Sequence, residues 1–103
     1  MLKALQEIEI IIKYTKGLSY EKFMSDGRNT DATIFRLEQM IEHIKYLSPE
    51  FKRKHNDIPW GEIIGFRNGL VHEYGNTDYT TVYEVVSKDV YSLKELFENN
   101  IKH

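Results

Sequence analysis

Residues 67–74, Arg67-Asn68-Gly69-Leu70-Val71-His72-Glu73-Tyr74, gather a guanidinium, an amide, an imidazole and a phenol in one short run. A guanidinium keeps its charge at any physiological pH and offers a fork of donors matched to phosphate, while an imidazole takes or gives a proton near neutrality. The set could hold an anion and move protons beside it. At about 100° per residue on a helical wheel, Asn68 and His72 share a side with Gly61, Gly65 and Gly69. Three interior glycines cost a helix about 1 kcal/mol each relative to alanine. So bare a groove anticipates close approach, by another helix or by a phosphate chain. Arg67 lies elsewhere on the wheel, within about 60° of Ile63, Ile64, Leu70 and Val71. On that apolar arc it needs a carboxylate such as Asp31, Glu38 or Asp78, or a route out to a subunit seam or an anionic ligand. Taken singly, each residue has an ordinary reading: an internal ion pair for Arg67, a cap for His72, a packed ring for Tyr74.

The elements that must position this run read as helices. Leu2, Leu5, Ile8, Ile11 or Ile12 and Tyr14 recur at three- and four-residue steps, with Gly17 at the C-terminal cap position. Ser19 to Met24 forms a short turn that Asp26-Gly27 should break, and the next helix is expected to begin near Asn29-Thr30-Asp31. Its apolar positions are Ile34, Leu37, Ile41, Ile44 and Leu47. Ser48-Pro49-Glu50 supplies a cap, a first-position proline and an acid near the dipole's positive end, so a short helix should run to His55. Pro59 opens the helix that carries the chemistry, and Gly75-Asn76 stops it. The last helix should start near Asp78 or Thr80 and reach Asn99, with Tyr83, Val86, Val90, Leu93 and Phe97 on one side. Thr80 to Val86 is β-branched and aromatic enough for a strand, but no second strand exists to pair with it. The fold class is therefore all-α, an up-and-down bundle of four main helices plus one or two short ones.

A chain of 103 residues has room for one domain, here residues 1–103. Apolar residues make up 41% and the net charge is −2, which fits neither disorder nor a generally basic polyanion binder. With no cysteines, disulfides, thiolate zinc sites and cysteine nucleophiles are all excluded. Ile8 to Ile12 is broken by Glu9 and flanked by Lys3, Glu7 and Lys13, so it is neither a signal sequence nor a membrane span. The cytoplasm is the expected compartment.

The run over residues 67–74 resembles the R-x-x-x-x-H-x-Y signature of the HepT-like branch of HEPN ribonucleases, toxin partners of minimal nucleotidyltransferase antitoxins. Its surroundings agree along nearly the whole chain. Ser19-Tyr20-Glu21-Lys22-Phe23 is similar to the family's S-Y-E-x-F turn, Leu47-Ser48-Pro49-Glu50 to its L-S-x-E, and Ile58-Pro59-Trp60 to its I-P-W lead into the motif helix. Departures are Tyr83 in place of a tryptophan, Gly61 in place of a polar residue, and the step Gly75-Asn76-Thr77-Asp78. The resemblance implies an HEPN bundle forming a homodimer in which two motif helices meet, and the toxin role of a type VII toxin–antitoxin system. Metal-free RNA cleavage needs a base for the 2′-hydroxyl, an acid for the leaving 5′-oxygen and a cation for the charge growing on phosphorus. A dimer supplies two copies of His72 for the proton roles and Arg67 to clamp the phosphate, with Asn68 orienting either. The expected products are a 2′,3′-cyclic phosphate and a 5′-hydroxyl. By the same resemblance Tyr74 is the hydroxyl to which the nucleotidyltransferase antitoxin adds AMP, switching the toxin off.

No cofactor is implied, and no metal. His43, His55, His72 and His103 lack ligand spacing, and the acids read as solvated surface. Lys52-Arg53-Lys54 is the single basic cluster, readable as a weak RNA contact or as the wet face of a short helix. The aromatics, 13% of the chain and including seven tyrosines, show no spacing for base stacking, and most are expected in the core. The alternative from another class is a non-catalytic HEPN module that binds a nucleotidyltransferase or a nucleotide. A plain helical interaction domain is a further one, in which Arg67 sits in a buried pair worth roughly 3 kcal/mol or more.

Overall fold

The computed structural model describes residues 1–72 and 78–101, with the backbone alone for residues 68–72. Its elements are α1 (Leu2–Thr15), α2 (Tyr20–Ser25), α3 (Gly27–Lys45), α4 (Pro49–Lys54), α5 (Trp60–His72), α6 (Tyr79–Glu84), a π-helical turn (Val85–Asp89) and α7 (Val90–Ile101). No strand occurs among the described residues, and Thr80 to Val86 is helical. The all-α expectation holds.

The helix signals act largely as the sequence predicts. Gly17, at φ +77°, turns the chain after α1, and the Leu18 N–H donates back to the Thr15 carbonyl. Ser19 caps α2 by accepting from the Lys22 N–H, and Ser48 caps α4 by accepting from the Phe51 N–H. The start of α3 differs from expectation. The short helix α2 does end at Asp26, but the same Asp26 caps α3 by accepting from the Arg28 and Asn29 N–H groups, so the next helix opens at Gly27, ahead of Asn29-Thr30-Asp31. Thr30, expected near the cap, is buried inside the helix with its hydroxyl shared between the Phe23 and Asp26 carbonyls. A second difference lies in the last helical stretch, where the π turn separates α6 from α7. The wider turn leaves Val82, Val85, Val86 and Val90 all buried.

The core joins α1, α3 and α7 through Leu5, Ile8, Ile11, Leu37, Met40, Ile41, Ile44, Leu93 and Phe97. Asn29 adds a polar tie to α1, its amide donating to the Tyr14 carbonyl, and Arg36 pairs with Glu7 at 3.3 Å. The helix α5 packs on α3 from the other side. Of the six described tyrosines none is buried. The expectation that most aromatics lie in the core is corrected in part: among the described ones Phe23, Trp60 and Phe97 are buried, while the phenols keep their hydroxyls near water and Leu, Ile and Val fill most of the interior. Among the described residues no helix is long and apolar enough to cross a membrane.

Candidate functional site

The start of α5 is clamped. The Trp60 indole, 8% exposed, donates its one N–H to both the Lys52 and His55 carbonyls, at 3.1 and 3.0 Å. That bond pair ties the end of α4 to the start of α5, with the Phe51 ring packed between His55, Trp60 and Phe97. From this anchor Ile63 is buried, while Ile64 and Phe66 pack partly against the core.

Arg67 comes next along α5, and its partner is none of Asp31, Glu38 or Asp78. The Arg67 Nε stands 2.7 Å from Oε1 of Glu42 on α3, and both side chains are 30% exposed. Neither atom makes a hydrogen bond, so the N–H points off the line to the oxygen despite the short separation. Both contacting atoms are sealed from water, hence the exposure of the arginine falls on the rest of its side chain. The same Glu42 oxygen lies 3.7 Å from Lys45 Nζ, so one carboxylate is shared by two cations. Glu42 is the site residue that sequence reasoning missed. It lies one turn beyond Glu38 on α3, and only the crossing point of α5 selects between the two.

Gly61 and Gly65 are exposed, and a Cβ added at either would meet nothing within 4 Å. The open glycine side of α5 is thus real over these two positions. Asn68 and His72 belong to the α5 backbone, but their side chains lie outside the described residues, as Tyr74 does altogether. Of the basic cluster, Lys52 turns its ammonium to the Lys45 carbonyl at 3.2 Å, while Arg53 and Lys54 are exposed. On another side of α5 a groove of about 180 Å³ is lined by Pro59, Glu62, Ile63, Phe66, Glu84 and Asp89 among others. Burial and then the Glu84 carboxylate push the Asp89 carboxyl above its ordinary range, with Glu62 adding and Lys88 opposing. Not every acid is therefore plain wet surface. Among the described residues no three histidine or carboxylate side chains come together as a metal site.

Residues 4–99 match the model of a protein family described as ribonuclease HepT-like. The chain belongs to this family. A HepT-like relative from Thermococcus cleftensis, named as a probable ribonuclease HepT, is 36% identical over 93 residues, which is 90% of this chain and 84% of that one. A protein of Caldanaerobacter subterraneus subsp. tengcongensis, named as a candidate RNase, is 40% identical over 91 residues, covering 88% of this chain and 81% of its own. In Methanocaldococcus jannaschii, a protein named for a gamma-glutamylcyclotransferase together with a candidate RNase is 41% identical over 91 residues, and the match spans 41% of its length. No solved structure gives a significant match. Several of the HepT-like motif positions have structural work here: Ser19 and Ser48 cap helices, Phe23 is buried, and Trp60 clamps α4 to α5.

Proposed function

We propose that the chain, as one HepT-like HEPN domain over residues 1–103, is an RNA endonuclease and the toxin of a type VII toxin–antitoxin system in the cytoplasm. It acts as a homodimer whose two α5 helices line one cleft. What carries this reading is Arg67: its charge is partly exposed beside a shared, poorly aligned carboxylate rather than locked in a buried pair. Of the guanidinium nitrogens Nε is the one that stands against Glu42, which leaves the N–H groups of the two Nη atoms for phosphate oxygens. The empty space over Gly61 and Gly65 supports approach of a second α5, since a backbone without side chains can come close.

In this mechanism one His72 takes the 2′-hydroxyl proton and the oxygen attacks phosphorus. The His72 of the second copy protonates the departing 5′-oxygen. Arg67 holds the charge that builds on the phosphoryl oxygens, and Asn68 orients phosphate or imidazole. The products are a 2′,3′-cyclic phosphate and a 5′-hydroxyl, and no metal takes part. A nucleotidyltransferase antitoxin adds AMP to the Tyr74 hydroxyl, placing a phosphate charge and a nucleoside's bulk at the rim of the cleft. The test is cleavage of RNA by purified dimer in EDTA. Wild type should cut undiminished, while Arg67→Ala and His72→Ala, still dimeric, should each lose most activity. Unchanged cleavage in both variants refutes the mechanism.

A further inference from the structure

The chain passes from α3 to α4 within a few residues, and the Lys52 ammonium reaches back to donate to the Lys45 carbonyl at the end of α3. At this junction Tyr46 closes α3, its backbone N–H donating to the His43 and Ile44 carbonyls, while its side chain is 83% exposed. No other large apolar or aromatic side chain among the described residues is so exposed. A ring held at a fixed backbone position and left in water offers a free π-face. Lys45 precedes Tyr46 in the chain, the Lys52 ammonium sits at the Lys45 carbonyl next to it, and Arg53 and Lys54 are exposed on the same short helix α4. Glu42 and Tyr46 are four residues apart on α3 and so share one side of it, about 6 Å along the axis. Glu42 meets Arg67, so this surface of α3 carries the ring one helical turn from the residue that pairs with the motif arginine.

We propose that this surface is a subsite for single-stranded RNA, in which a base stacks on Tyr46 and flanking phosphates contact Lys45, Lys52 and Arg53. The strand then continues past Glu42 to the phosphate held by Arg67. The proposal rests on the ribonuclease reading for its ligand class. An acidic peptide would satisfy the cations but leave the ring without a planar partner, and the ring is what favours RNA. In a chain of net charge −2 such a local cluster is what electrostatic capture of a strand requires.

The probe is a short fluorescein-labelled 2′-O-methyl oligouridylate, which cannot be cut, with inorganic polyphosphate as a base-free control. Anisotropy titrations should show Tyr46→Ala weakening the oligonucleotide by about tenfold, with polyphosphate binding and the salt slope unchanged. Tyr46→Phe should retain wild-type affinity. Lys45→Gln combined with Arg53→Gln should reduce the slope of log K against log salt by about 0.7 for each phosphate that is no longer neutralised. Oligonucleotide affinity unmoved by Tyr46→Ala overturns the subsite, as does equal weakening of polyphosphate. An acidic peptide that binds more tightly than the oligonucleotide also overturns it, by assigning the surface to protein. Because the probe is not cleaved, a chain that binds through Tyr46 but cuts no RNA refutes the nuclease reading alone.

Discussion

A guanidinium beside a carboxylate is ordinarily occupied by it, and at Arg67 the geometry argues otherwise. The pair is 30% exposed on both sides, the N–H is misaligned, and Lys45 competes for the same Glu42 oxygen. A misaligned contact between side chains that are otherwise partly in water contributes little, so Arg67→Ala should lower unfolding free energy in urea by no more than about 1 kcal/mol. A decrease of roughly 3 kcal/mol, the cost of breaking a buried pair, would instead favour the plain helical-domain reading. At Tyr74 the expected outcome is a mass gain of one or more AMP units after incubation with ATP and the cognate nucleotidyltransferase, absent from Tyr74→Phe. The full gain persisting in that variant would place the acceptor on another residue.

Between elements, the decisive joint is α4 to α5. The Trp60 indole supplies the one side-chain donor that meets both the Lys52 and His55 carbonyls, and it is nearly buried. Trp60→Phe keeps much of the ring packing but removes that donor, which should cost about 1–2 kcal/mol in chemical denaturation. Cleavage should fall as well, because the direction of α5 sets where Arg67 stands. A variant as stable and as active as wild type would show that the joint does not position the site. The I-P-W segment is readable as a helix opening from its proline, but the clamp is not. It needs α4 to return beneath the indole, which no local pattern specifies.

Across the whole molecule, charge is distributed unevenly between the two sides of α5. One side carries Arg67 and leads to the cations of α3 and α4. The other faces α6 and the π turn across a groove lined by Glu62, Glu84 and Asp89. A carboxyl whose folded pKa is raised weakens the fold while it is charged, fully above the raised value, and the handicap fades as pH falls toward the ordinary 3.8. Asp89→Asn should therefore raise Tm at pH 7, by about 2 °C, and the gain should shrink as pH approaches 4. A gain that is constant with pH, or a drop in Tm at pH 7, would show that the acidic groove is not a source of strain.

The helices and the motif run are legible in the amino-acid order because both are local. Three- and four-residue spacing sets which side chains share a face, and caps such as Ser48 and Gly17 act within a few residues of themselves. Even the local reading slipped at the start of α3, where the Asp26 carboxylate caps two N–H groups and opens the helix at Gly27, ahead of Asn29. Three further features emerge only once the helices are packed: Arg67 meets Glu42 rather than Glu38, Tyr46 stands in water, and nothing covers Gly61 and Gly65. Each depends on where two helices cross, and that point is set by the packing of apolar side chains far apart in the chain.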